Sequence, residues 1–299
     1  RWTRRRLVSS AVVLLLVAGL VGVAAWPDRA SYRTEEHRIT VATGPAGDQQ
    51  VDLDATFYVP RDASRSEQVP AILLAHGFGG TKNSVAADAK DLAGLGYAVL
   101  AFTAQGFGRS TGEIHLNSPD WEVRDAQRLL DWLAARPEVQ RDGDGDPRVG
   151  VVGGSYGGAL ALMLAGQDSR VDAIVPMITW NDLSRAFLPE ATGRDPADGV
   201  FKKQWAGLFF GSGSGGLGGA LSDTEADTGN ALGALIGGAG SDIPPGVAGR
   251  INPQCGRFAA DVCAAYLAVA TTGRPTPGSI ALLRRSSPAS IVDRIKAPT

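Results

Sequence analysis

The sequence has 299 residues, a formal net charge of −2, 44% hydrophobic and 20% charged residues. That is enough chain for one large domain with a sizeable core; the balance excludes a disordered chain and offers no basic footprint for nucleic acid. Two cysteines exclude a disulfide scaffold and a four-cysteine zinc site, and the three histidines, His37, His76 and His115, restrict where acid–base chemistry can come from.

The chain opens on Arg1 rather than Met, and a piece of a longer protein is expected. Arg1, Arg4, Arg5 and Arg6 precede an apolar run over 11–25, which predicts an export segment at 1–26. Two forms of it stay open. One is a cleaved signal, with the small residues Val23, Ala24 and Ala25 before the cut. The other is an uncleaved anchor over 7–26 that ties the protein to a membrane, with Trp26 at the interface. Residues 27–36 read as a polar linker. Period-two patterns at 37–41 and 51–59 flank Gly44-Pro45-Ala46-Gly47-Asp48 and predict a β-hairpin. Continuous apolar runs follow at 71–75, 97–102 and 148–152, the mark of strands buried on both faces, and a fourth strand is expected at 171–176. Between them lie helical patterns at 84–95 (stopped by Gly96), 121–135 and 158–165. This alternation specifies an α/β fold, a mostly parallel sheet flanked by helices.

The alternation stops over 180–287. Helical pieces at 199–210 and 258–270 flank a glycine-rich stretch inside 207–240, and the whole reads as a largely helical cap over the sheet. A helical turn at 290–295 and the start of a strand at 297–299 return to the core, which then comprises 27–179 and 288–299. Cys255 and Cys263 are disulfide candidates in an exported protein. On one continuous helix they would lie about 12 Å apart, so pairing requires a helix break between them.

Two motifs carry chemistry. Gly153-Gly154-Ser155-Tyr156-Gly157 sits between a buried strand and a helix, which puts Ser155 on a sharp turn and requires small residues at Gly153 and Gly157 where strand and helix pass closely. His76-Gly77-Phe78-Gly79-Gly80 follows the first buried strand. Acyl transfer needs amide hydrogens aimed at the developing oxyanion, and Tyr156 and Phe78 are the candidates to supply them. His76, at a strand end, is expected to brace this loop rather than to act as base. Asp142-Gly143-Asp144-Gly145-Asp146 reads as a turn rather than a calcium loop, and Gly79-Gly80-Thr81-Lys82 lacks the spacing of a phosphate loop; neither a metal nor an organic cofactor is expected.

Together with the segment 102–112, these motifs resemble the α/β-hydrolase fold, and within it the Xaa-Pro dipeptidyl-peptidase and cocaine-esterase-like serine hydrolases. The resemblance implies a Ser–Asp–His triad in that chain order, an acyl-enzyme on Ser155 and a small ester or short peptide as substrate. It says nothing of oligomeric state. No histidine follows Ser155, so the implied base and acid are expected beyond Thr299. The alternative is a membrane-tethered binding protein that keeps the scaffold without catalysis.

Overall fold

The computed structural model describes residues 31–189, 199–213 and 255–299; the segment 1–26, where an export signal is expected, and most of the glycine-rich stretch lie outside them. Strands β1 (Tyr32–Thr43) and β2 (Gln49–Pro60) form the antiparallel hairpin. Alternation drives it: Val51, Leu53, Ala55 and Phe57 are buried on one face of β2. Pairing begins at Tyr32↔Pro60, so strand occupies half of the expected linker 27–36. Sequence periodicity misses that stretch because Arg33, Thr34, Glu35 and Glu36 are polar in succession, and the strand is set by its pairing with β2. Arg33 reaches the Glu138 carboxylate at 2.7 Å.

Next come β3 (Ala71–Ala75), α1 (Ala86–Gly94), β4 (Ala98–Phe102), α2 (Glu122–Ala134), the short pair β5 (Arg141–Gly143) and β6 (Asp146–Pro147), β7 (Val149–Gly154), α3 (Tyr156–Ala165) and β8 (Val171–Met177). The main sheet has the order β1-β2-β4-β3-β7-β8. β2 meets β4 antiparallel, whereas β4, β3, β7 and β8 run parallel. All five residues of β3 and of β4 are buried, as strands covered by helices on both faces must be. α2 buries Val123, Ala126, Leu129, Leu130 and Leu133 as one stripe. α1 stops where expected: Gly96 takes φ +101°, a conformation that a side chain would strain. The acidic run 142–146 forms the turn of the β5–β6 pair, with Asp142 ion-paired to Arg148.

In the segment read as a cap, the described helices are α4 (Leu183–Phe187), α5 (Lys203–Gly213), α6 (Ala260–Thr272) and α7 (Pro277–Arg285). α4 and α7 are short and were not evident from periodicity. Each is set by its cap: the Asp182 carboxylate accepts from Ser184 and Arg185 N–H, and Thr276 and Ser279 form a reciprocal capping box with Pro277 at the first helical position. α6 begins at Ala260, after Cys255, so the two cysteines do not share a continuous helix. Their Cα atoms are 5.6 Å apart and they form a disulfide. Short 3₁₀ turns at Pro288–Ser290 and Val292–Arg294 replace the helical turn expected at 290–295. The chain then reaches the outer edge of β8, where Ile174 N–H donates to the Pro298 carbonyl at 3.0 Å. Among the described residues no helix is long and apolar enough to cross a membrane.

Candidate active site

Ser155 joins β7 to α3 with φ +53° and ψ −112°, a conformation that costs a non-glycine residue roughly 1–3 kcal/mol. The surroundings hold it there. Ser155 N–H donates to the Met177 carbonyl at 2.8 Å, and Thr179 Oγ1–H donates to the Ser155 carbonyl at 2.8 Å. The residue is exposed, and among the described residues nothing hydrogen-bonds to its hydroxyl. The flanking glycines are required by contact: a Cβ on Gly153 would lie 2.5 Å from the Gly157 carbonyl carbon, and one on Gly157 would lie 2.8 Å from that of Ala75. The turn therefore lifts the hydroxyl clear of the sheet and aims the first turn of α3 at it.

The glycine-flanked loop after β3 faces this turn. A Cβ on Gly77 would stand 3.9 Å from Ser155 Cβ. His76 fixes the loop's shape. Its Nε2 accepts from Ala104 N–H at 3.0 Å, so its Nδ1 carries the proton and donates to the Gly77 carbonyl at 2.7 Å. Burial lowers its pKa to about 4, which keeps the ring neutral. The same Gly77 carbonyl accepts from Gly80 N–H at 3.0 Å, closing the turn. The backbone N–H groups of Phe78 and Tyr156 have no acceptor among the described residues. They are the pair of donors that the sequence singles out. Lys82, at the loop's far end, turns away: its ammonium lies between Glu36 and Asp54 of the hairpin, not toward an anion site.

A buried network that the sequence did not reveal holds the other donor. Glu122 opens α2, and its carboxylate accepts from His115 N–H at 2.6 Å, Ser118 N–H at 3.0 Å and the Tyr156 hydroxyl at 3.2 Å. Asn117 Nδ2 donates to the Tyr156 carbonyl at 2.8 Å, and its N–H to the Tyr156 hydroxyl at 3.0 Å. Leu116 and Asn117 both take positive φ to make this turn. Burial pushes the Glu122 carboxyl up to about 7, against the pull of its donors, and burial also holds Asp125 one turn later well above the usual carboxylate range. One faint sequence signal exists, a carboxylate in the first turn of an amphipathic helix. Its burial is a tertiary fact, however, and spacing does not carry it.

A cavity of about 280 Å³ opens at Ser155, walled by Phe78, Leu116 and Tyr156 from the core and by Trp180, Phe210 and Phe258 from the segment after β8. Phe258 stacks on Phe78 (centroids 5.8 Å apart) and on Phe210 (4.2 Å), which stacks in turn on Tyr266 (3.7 Å). The Cys255–Cys263 disulfide brackets Phe258. Arg257 ties the same stretch to the core through the Gly108 and Ser110 carbonyls, at 2.9 and 2.6 Å. None of the three histidines is presented to Ser155 as a base. Both ring nitrogens of His76 are engaged, His37 contacts Glu35 and Trp132, and His115 lies buried and stacked 3.9 Å from Trp121.

The strained serine turn, the facing loop and the sheet order together identify an α/β-hydrolase fold. The family model described as X-Pro dipeptidyl-peptidase (S15 family) matches residues 47–200. The chain belongs to this family. Its members are hydrolases, and the match spans the hairpin's second strand through the serine turn to the segment after β8. Among curated proteins, the chain is 31% identical over 159 residues to the uncharacterized protein PA2218 of Pseudomonas aeruginosa, covering 52% of this chain and 40% of that one. It is 30% identical over 197 residues to a bis(hydroxyethyl) terephthalate hydrolase of Streptomyces coelicolor, covering 60% of each. The crystal structure of PA2218 superposes with a TM-score of 0.44 at 27% identity, over 61% of this chain and 52% of that one. The chain thus spans about half the length of the curated relatives it matches.

Proposed function

We propose that the protein is an exported serine hydrolase that cleaves an ester or amide by acyl transfer through Ser155. The observation that carries this reading is the strained, exposed Ser155 turn beside two backbone donors, Phe78 and Tyr156 N–H, that have no acceptor among the described residues. In the reaction, a base takes the Ser155 proton as Oγ bonds to the substrate carbonyl carbon. The carbonyl oxygen becomes an oxyanion held by the two N–H groups, typically for about 2.7–4 kcal/mol per donor. The leaving group departs with a proton, and water then releases the acyl group from Ser155. Because His37, His76 and His115 are each held elsewhere, we place the base and its orienting acid beyond Thr299, in the order the family resemblance implies. No metal or organic cofactor enters this chemistry.

Membership of a dipeptidyl-peptidase family favours an amide substrate, whereas one relative's named substrate, bis(hydroxyethyl) terephthalate, is an ester. Both readings use the same serine. Export rests on the basic and apolar pattern of 1–26, and the cap on the helices of 180–287. Labelling of the full-length protein by a fluorophosphonate probe tests the proposal. Ser155 is expected to be modified, and Ser155→Ala to abolish both labelling and hydrolysis. An unlabelled, correctly folded full-length protein would overturn the reading in favour of a tethered binding protein.

A further inference from the structure

We propose that Lys82 is a positioning residue for the oxyanion donor Phe78 N–H, because it straps the downstream foot of the loop 76–82 to the β1–β2 hairpin. The proposal rests on the serine-hydrolase reading for its effect on turnover, though not for its effect on the loop.

Three observations carry it. First, the loop stands on two adjacent anchors. Upstream, the His76 ring bonds Ala104 N–H and the Gly77 carbonyl. Downstream, Lys82 N–H donates to Thr103 Oγ1 at 3.0 Å. Thr103 and Ala104 directly follow β4, so Phe78 lies on an arch between neighbouring feet. Second, the arch is soft between them. Gly77, Gly79 and Gly80 flank Phe78, and Gly79 takes φ +78° with open space where a side chain would stand. Glycine restrains a backbone least, so the aim of Phe78 N–H is set by the feet. Third, the Lys82 side chain is committed to the hairpin. It is buried, and its three ammonium protons meet three acceptors: the Glu36 carboxylate of β1, and in β2 the Asp54 carboxylate at 2.9 Å and the Ala55 carbonyl at 3.3 Å. A buried ammonium stripped of such partners is strongly penalised, which keeps this foot in place. The same strand holds the foot's other acceptor, since Thr103 N–H donates to the Asp54 carbonyl at 2.8 Å. Movement at Lys82 passes upstream through a stiff unit: Thr81 N–H donates to Ser84 Oγ and Ser84 N–H to the Thr81 carbonyl, each at 3.0 Å. A donor that drifts from its aim loses most where the substrate oxygen is fully charged, so the effect belongs to the transition state rather than to substrate binding.

The test uses the full-length protein with 4-nitrophenyl butyrate as substrate and compares Lys82→Met, Lys82→Arg and Glu36→Gln. Lys82→Met keeps the stem and removes the charge. It is expected to lower kcat by about tenfold or more while KM stays within about twofold, and to slow fluorophosphonate labelling in the same proportion as kcat/KM. Lys82→Arg restores a cation to the two carboxylates and is expected to recover kcat to within about threefold of wild type. Glu36→Gln removes one carboxylate charge but leaves an acceptor, and is expected to lower kcat by only about two- to threefold. Hydrogen–deuterium exchange at the amides of 77–81 gives a readout independent of turnover: faster exchange confined to that loop in Lys82→Met, with the sheet strands unchanged, is expected. An unchanged kcat in Lys82→Met, a loss that Lys82→Arg does not rescue, or exchange that rises equally across the sheet would overturn the proposal and leave Lys82 a structural residue only. The two readings fail separately. A parent protein that fluorophosphonate does not label sinks the hydrolase reading, and loop-confined exchange in Lys82→Met then still upholds the strap. Labelling of the parent with no change of kcat or exchange in Lys82→Met does the reverse.

Discussion

The two flanks of the Ser155 turn are built very differently. Toward β3 and α2, the turn is clamped by the glycine contacts of Gly153 and Gly157, the neutral His76 ring and the Glu122–Asn117–Tyr156 network. Toward the outer edge of β8, Val175, Met177 and Ile178 are 50, 44 and 95% exposed, and the turn is held by the Met177 carbonyl and by one hydroxyl, that of Thr179. The braced flank is the one that carries the candidate oxyanion donors. Preorganised donors stabilise a transition state only if they need not rearrange, so rigidity belongs on that side. The open flank, by contrast, presents no acid or base to Ser155 among the described residues.

Substitutions on the two flanks should differ in the same way. The largest effect is expected for Gly157→Ala. Its methyl would overlap the Ala75 and His76 backbone, which cannot swing aside as a side chain can. A stability loss of about 3 kcal/mol or more in denaturant unfolding, together with loss of fluorophosphonate labelling, is expected. Glu122→Gln comes next. One carboxylate oxygen becomes an NH₂ that cannot accept from His115 or Ser118 N–H, costing about 1–3 kcal/mol and lowering kcat more than it changes KM. A wild-type-like kcat in this variant would show that the braced flank is merely structural.

The same pair of proteins gives a pH signature. Glu122 titrates at about 7 in the fold, against the ordinary 4.5. Between these values the folded state holds a proton that the unfolded state has released, so the residue's contribution to stability falls as pH rises from about 4.5 to about 7. Glu122→Gln lacks this loss, and its stability deficit relative to wild type should shrink over that window. His76 works in the opposite sense in both proteins: its folded pKa of about 4 lies below the ordinary 6.5, so stability is lost as pH falls from about 6.5 through 4. Unfolding curves from pH 4 to 8 on both proteins isolate the Glu122 part. The smallest effect is expected on the open flank, where Thr179→Val removes one partly exposed hydrogen bond to the Ser155 carbonyl and should cost about 0.5–1.5 kcal/mol. A cost comparable to that of Gly157→Ala would erase the contrast between the flanks.

Much of the sheet could be read in advance because β3, β4, β7 and β8 are short apolar runs separated by an amphipathic α2 and glycine-punctuated turns, all local signals. The serine turn was legible for the same reason, since Gly153, Ser155 and Gly157 encode it within five residues. Features set by distant partners were not. Tyr32–Glu36 is strand because it pairs with the far end of β2, and Glu122 matters because residues 115–118 and Tyr156 close over it. The cysteines mark the boundary between the two cases. Spacing alone required a helix break between Cys255 and Cys263, and the fold supplies one at Ala260.

That crosslink has a practical consequence. It closes a small covalent ring around Arg257 and Phe258, the residues that moor the aromatic wall to the hydrolase sheet. Cystines endure in oxidising surroundings and are opened by thiols. Protein prepared with dithiothreitol or folded in a reducing cytosol would therefore keep the Ser155 turn but slacken the aromatic wall of the cavity beside it.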